Sequence, residues 1–227
     1  IIIMNTWFSK QHLLNGVEFN RLIEEENLSC EDAITITNQS LFIPNTICIA
    51  QDTKYNQRYI RVKHEECFKM FDIDNNLYEL VPTNVPRCLY VDIDFNGTHT
   101  EDEIKNHELQ IEKFIKKIVN YVVNKKLNLN IDIKTIHVLS SSRHNKVSVH
   151  MLFKDINFEN FDTMKAFVSH LEYTATTKPF CNSIYEIDRT VYSRNRLFRS
   201  LNQTKLKYNA YPFKCISHKQ TSIKQLL

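Results

Sequence analysis

Two glycines in 227 residues, Gly16 and Gly97, set the first limit on this chain. A phosphate-cradling P-loop needs two glycines about five positions apart, and a dinucleotide-binding turn needs three close together. Neither can be assembled here. If such a chain handles a nucleotide, it must use side chains and metal ions rather than the backbone of a glycine-rich turn.

Hydrophobic residues make up 42% of the chain and charged residues 24%. That is the balance of an ordinary globular protein with one sizeable domain or two small interlocked ones. The formal net charge of +3 is too mild to imply nucleic-acid binding, so any basic surface must arise from local clustering. The six cysteines, Cys30, Cys48, Cys67, Cys88, Cys181 and Cys215, are dispersed and form no CxxC. They read as reduced thiols of an intracellular protein. His64 and Cys67 have metal-ligand spacing, but one pair falls short of a four-ligand zinc site. "IIIMNTW" lacks the basic flank and apolar core of a secretory signal, and no apolar run approaches the ~20 residues of a membrane span. The expectation is an intracellular protein without membrane association. Nucleus, mitochondrion and a viral replication site are not distinguished.

Helical spacing of Phe19, Leu22 and Ile23 predicts a helix in "VEFNRLIEEEN", and "SCEDAITITNQ" opens like a capped second one. "TICIA" and "RYIRV" flank "QDTKYNQ" as the arms of a hairpin. "HEECFKMF" is a short helix, and "LYELVPTNVP" an extended stretch. From residue 87 the pattern sharpens. "RCLYVDIDF" is a strand. Residues 100–127 form a long helix with Ile111, Phe114, Ile115, Ile118, Val119 and Val122 on one face. "KTIHVLSSS" and "KVSVHMLF" are strands joined by a turn at "RHN". A helix follows, with Met164, Phe167, Val168 and Leu171 inward, then short strands at "IYEID" and "RLFRSL". Strand, helix, strand, strand, helix, strand is the split β-α-β order of ferredoxin-like, RRM-like folds. The expected architecture is α+β: an N-terminal α/β module over 1–85, packed with an RRM-like catalytic module over 86–227 that has one open sheet face.

Strand alternation places Tyr90, Asp92 and Asp94 on one side, and Val91, Ile93 and Phe95 on the other. The apolar side can bury against the helices. The other then carries two carboxylates ~7 Å apart, whose repulsion a divalent cation would relieve. In "KVSVH" the same rule groups Lys146, Ser148 and His150. If this strand pairs with the first, an ammonium, a hydroxyl and an imidazole stand beside the two acids, a set suited to triphosphate oxygens. The bland alternatives are an acidic strand end and a polar outer face. A Ser/His hydrolase lacks its glycine-rich elbow.

"EIDRTVYSRNRLFRS" adds Asp188 and four arginines, Arg189, Arg194, Arg196 and Arg199. Asp188 would close the fourth strand beside the first and supply a third carboxylate. Three carboxylates and a triphosphate are the parts of a two-metal phosphoryl-transfer site. Arg196 and Arg199, with Lys205 beyond, suit the phosphates opposite the metals.

Together, "LYVDIDF", "KVSVH" and "IDRTVYSRNRLFRSLNQTK" resemble the three motifs of the archaeo-eukaryotic primase superfamily. They look most like PrimPol and the primases of large DNA viruses, including the poxvirus-type primase-helicase. The likeness runs from about residue 55 to 210. It implies a primase fold that makes primers on single-stranded DNA from nucleoside triphosphates, with Mg²⁺ or Mn²⁺. It also implies that Asp92, Asp94 and Asp188 hold the metals. Lys146, Ser148, His150, Arg196, Arg199 and Lys205 would hold the incoming nucleotide, and Gln57 and Arg58 would lie near the template. Arg194 and Asn195 belong to the motif without an assigned role. The chain departs from the family at Leu197, where Asn is usual, at Asn56, where Gly precedes Gln, and at Thr204, where Ser is more usual. A Cys/His zinc module and a helicase are not in the sequence, so the expectation is a stand-alone core or the front end of a longer primase-helicase. The competing readings are a primer-extending repair or damage-bypass polymerase, a metal-dependent nuclease, and a non-catalytic RRM-like binding module.

Overall fold

Alternating apolar residues from 46 onward build two sheets, and a shortage of glycine shapes the turns between elements. The computed structural model describes residues 46–63, 67, 69–71, 76–81, 86–133, 135–177, 184–193, 196–199, 201–206 and 211–217. The two helices expected within residues 17–27 and 29–39 lie outside these residues, as do His64, Arg194 and Asn195. The chain divides into two compact units, one of residues 1–84 with 194–210, the other of 85–193 with 211–227.

The first unit carries an antiparallel sheet in the order β2-β1-β3-β7: β1 Thr46–Asp52, β2 Gln57–Lys63, β3 Leu77–Val81 and β7 Arg196–Arg199. β1 and β2 form the expected hairpin, from Thr46↔Lys63 to Asp52↔Gln57. One face buries Cys48, Ala50, Tyr59, Tyr78 and Leu80, with Leu197 packed against them. Cys67 and residues 69–71 are helical, as the sequence predicts. The Cys67 thiol is pushed up to about 12, first by burial and then by Glu79, which suits a core thiol rather than a metal ligand. "RLFR" forms a strand, but it pairs with β3 (Tyr78↔Arg199, Val81↔Arg196). A simple division after residue 85 does not give this placement, because strand patterning does not say which sheet a strand joins.

In the second unit the sheet order is β4-β6-β5-β8, all antiparallel: β4 Arg87–Asn96, β5 Ile136–Ser140, β6 Lys146–Phe158 and β8 Lys214–Cys215. Val91, Ile93, Val147, Val149 and Met151 are fully buried, on the side facing the helices. Helix α1, Glu101–Asn120, starts with a full capping box: the Thr100 hydroxyl accepts from Glu103 N–H, and the Glu103 carboxylate accepts from Thr100 N–H. It runs on into a wider π turn, Tyr121–Lys126. Helix α2, Phe161–Thr177, buries Met164, Val168 and Leu171. The strand expected at "IYEID" is reduced to a single bridge, Ile187↔Ile93, on the edge of β4 away from β6. A 3₁₀ turn, Arg189–Val191, follows at once. The described part of the protein is therefore a mixed α+β structure with antiparallel sheets. No helix among the described residues is long and apolar enough to cross a membrane.

Asparagine does the work glycine does elsewhere. Asn76, Asn128, Asn130 and Asn202 all take left-handed φ, between 48° and 61°, a conformation in which asparagine is tolerated better than most residues. Gly97 has φ 154°, and a Cβ there would stand 3.0 Å from His99 Nε2. Here both the backbone and the space demand glycine.

Candidate active site

Register decides what the acids face. β4 and β6 are antiparallel neighbours with Asp92 opposite His150, Asp94 opposite Ser148, and Asn96 opposite Lys146. The turn at His144–Asn145 is tied by a reciprocal pair, Arg143 N–H to Lys146 O at 2.8 Å and Lys146 N–H to Arg143 O at 2.9 Å. The same turn also holds the end of β4, since Gly97 N–H donates to Asn145 O at 3.3 Å and His99 N–H to His144 O at 2.7 Å; a one-residue slip of β4 against β6 would send the polar groups of β4 into the core.

The carboxylates meet cations across the strand pair. His150 Nε2 is 3.2 Å from Asp92 Oδ2, and Lys146 Nζ is 2.5 Å from Asp94 Oδ2, a diagonal contact. Asp94 Oδ1 is buried with no hydrogen-bond partner among the described residues. Asp188 arrives from the other side of β4: its N–H donates to the Asp92 carbonyl at 2.8 Å. Its carboxylate caps the 3₁₀ turn, accepting from Thr190 N–H at 2.8 Å. Asp94 and Asp188 both line a cleft of about 500 Å³, together with Glu172, Tyr185, Phe114 and Arg189. So Asp92, Asp94, Asp188, Lys146, Ser148 and His150 are all brought together.

The face expected to be open is partly roofed. Asp92, Ser148 and His150 are each less than a tenth exposed. Phe213 sets its ring over that of His150, centroids 4.0 Å apart. Tyr192 stacks on Tyr90 at 5.3 Å and donates from its hydroxyl to the Tyr90 carbonyl at 2.7 Å. Burial, with Tyr90, Asp92, Glu172 and Asp188 nearby, holds the Tyr192 hydroxyl well above the usual tyrosine range. Phe213 and Tyr192 escape a reading by motif because their partners are far away in sequence. Ser142 is a third such residue: its hydroxyl accepts from Ser148 N–H at 3.1 Å, and bonds Ser140 at 2.8 Å. The "SSS" run ahead of the turn was its only trace.

The arginine run divides. Arg189 is neutralised by Glu172 of α2, which it grips through Nε and Nη2. Arg196 and Arg199 stand three apart in β7 of the first unit, so strand alternation points them to opposite faces. Arg199 is buried on the Tyr78 face, and Arg196 is half-buried. Lys205 is exposed. It follows Gln203 and Thr204, which anchor the segment: Gln203 accepts from Leu77 N–H at 3.0 Å and donates to Phe71 O at 2.9 Å, and Thr204 donates to Asn76 Oδ1 at 2.9 Å. Gln57 and Arg58 also point oppositely. Gln57 donates to Asp52 Oδ1 at 2.8 Å, and Arg58 Nε to Gln51 Oε1 at 2.8 Å.

As the side chains stand, no three His, Cys, Asp or Glu among the described residues converge on one metal position. The donor set is nonetheless oxygen-rich, and the orphaned Asp94 Oδ1 is a place for a hard cation such as Mg²⁺ or Mn²⁺. A metal would share or displace Lys146 and His150, the carboxylates' present partners. Comparison with known protein families and with curated proteins returns no match for this chain.

Proposed function

We propose that this chain is the catalytic core of a DNA primase-polymerase, which joins nucleotides on a single-stranded DNA template. The observation that carries the reading is the pairing of Asp92 with His150 and of Asp94 with Ser148, with Asp188 bonded to the Asp92 backbone from the opposite edge. The order Ile187, β4, β6, β5, with helices after the first and third strands of the chain segment, supports an RRM-like, ferredoxin-like catalytic module of the primase superfamily.

In this reading Asp92, Asp94 and Asp188 hold two divalent ions, Mg²⁺ or Mn²⁺. When bound, such ions lower the pKa of an attacking 3′-hydroxyl and steady a leaving pyrophosphate. The chain's own groups do the positioning. Lys146 and Ser148 contribute an ammonium and a hydroxyl to phosphate oxygens, and His150 donates from the imidazole. Arg196, Arg199 and Lys205 bind the triphosphate, and Gln57 and Arg58 the template, on the strength of the motif resemblance. Burial of Asp92, Ser148 and His150 strengthens the contacts these three groups make by keeping bulk water away.

The test is synthesis on unprimed and on primed single-stranded DNA with labelled triphosphates and either metal. Short products on the unprimed strand support a primase. Extension of a supplied primer alone selects the repair or bypass polymerase. Nucleotides released from DNA without added triphosphates select a nuclease. Binding with no transfer at all selects the RRM-like module.

A further inference from the structure

The hairpin tip between β1 and β2 presents an aromatic ring that nothing in the fold needs. Tyr55 is 87% exposed, the most exposed large hydrophobic side chain among the described residues. The tip beneath it is held firmly. Thr53 N–H donates to Asn56 O at 2.8 Å, and the Thr53 hydroxyl bonds Asn56 O at 2.7 Å and Oδ1 at 2.9 Å. Asn56 N–H returns a bond to the Thr53 hydroxyl at 3.1 Å. The two central residues, Lys54 and Tyr55, therefore project from a fixed turn and lose little freedom on meeting a partner. The Lys54 ammonium sits over the Tyr55 ring, 5.5 Å from its centre. Arg58, three residues on in β2, is exposed, and its guanidinium donates to Gln51 Oε1. The nearest acid, Asp52, is engaged by Gln57 and by the Tyr78 hydroxyl at 2.8 Å each.

A displayed π-face beside two cations matches one chemistry closely. A base stacks on the ring, and phosphates meet the ammonium and guanidinium. An isolated exposed tyrosine is ordinary; one pinned at a turn tip with Lys54 over it is not explained by packing. We infer that the Lys54–Tyr55 tip is a stacking point for single-stranded nucleic acid, which extends the template-contacting surface beyond Gln57 and Arg58. This inference deepens the function proposed above and rests on it.

The experiment is fluorescence anisotropy of a labelled single-stranded oligonucleotide titrated with the full chain, without metal or triphosphate, at several salt concentrations. Tyr55→Ala is expected to weaken binding about 5- to 150-fold, the span that base-on-aromatic stacking covers, with the salt slope unchanged. Tyr55→Phe is expected to stay within about twofold of the parent, since the π-face survives. Lys54→Ala should lower the slope of log affinity against log salt by about 0.7, one phosphate contact on a single strand. Parent-like binding by Tyr55→Ala at every salt overturns the inference, as does no measurable binding by the parent. A parallel synthesis assay keeps the two proposals apart. A chain that makes no product yet loses affinity with Tyr55→Ala retains the stacking site and loses the primase reading.

Discussion

Phe213 lies against His150 with ring centroids 4.0 Å apart, while His150 Nε2 reaches Asp92 Oδ2 at 3.2 Å. One imidazole is thus clamped between an aromatic face and a carboxylate. Phe213 comes from residues 211–217, which add β8 to the edge of the sheet through Leu139↔Cys215 and Ser140↔Lys214. Phe213→Leu keeps most of the volume and removes the ring. It should raise the KM for the nucleotide about tenfold, roughly the value of one charge-assisted hydrogen bond, and leave template affinity unchanged. Steady-state kinetics checks this, and His150→Ala provides the control. In that background Phe213→Leu should add nothing if it acts through the histidine.

Tyr192 predicts an alkaline limit to stability. Its hydroxyl pKa is raised in the folded state, first by burial, so the folded chain holds that proton more tightly than the unfolded one. The stabilisation is complete below the unfolded value of about 10 and is lost as pH rises beyond it. Tyr78, Tyr59 and Tyr185 are raised as well, each mainly by burial. Thermal melts from pH 8 to 11 should fall steeply above pH ~10. Tyr192→Phe should melt lower at pH 8, because the Tyr90 carbonyl loses a buried donor worth about 1–2 kcal/mol, yet decline less toward pH 11. An equal alkaline decline in both would show that Tyr192 does not titrate with unfolding.

Gln203, fully buried, bridges Leu77 N–H and Phe71 O in the first unit. Gln203→Ala would leave a buried donor and a buried acceptor unmatched, at a cost of about 2–4 kcal/mol. Urea unfolding should show that loss. A stability within about 0.5 kcal/mol of the parent would mean that water replaces the amide.

Much of this arrangement is legible in the sequence. Period-2 alternation in "VDIDF" and "KVSVH" separated polar from apolar faces, and the "RHN" turn between two strands implied their pairing. That turn pairs β5 with β6; the strand, helix, strand, strand order, expected to put the first strand beside the third, is what sets Asp92 and Asp94 beside Ser148 and His150. The stripe of α1 and the π turn after it was readable because Ile111, Ile115, Ile118 and Val122 recur at helical spacing. Choices among distant partners were not readable. "RLFR" reads equally well as a strand of either sheet, and its pairing with β3 is accompanied by the long-range Gln203 and Thr204 anchors. "IYEID" was too short to reveal that only Ile187 would bridge β4. Arg189 stands in the same arginine run, and nothing local shows that Glu172, 17 residues away, holds it. The aromatic cover from Phe213 and Tyr192 left no local pattern, because it consists entirely of long-range contacts.

The most direct test of the central claim compares the parent chain with Asp92→Ala and Asp94→Ala on unprimed single-stranded DNA, with labelled triphosphates and Mg²⁺ or Mn²⁺. The account predicts short labelled products from the parent and none from either variant, while both variants still melt cooperatively. Products from a carboxylate variant at the parent rate would contradict it, because Asp92 and Asp94 would then hold nothing the reaction needs.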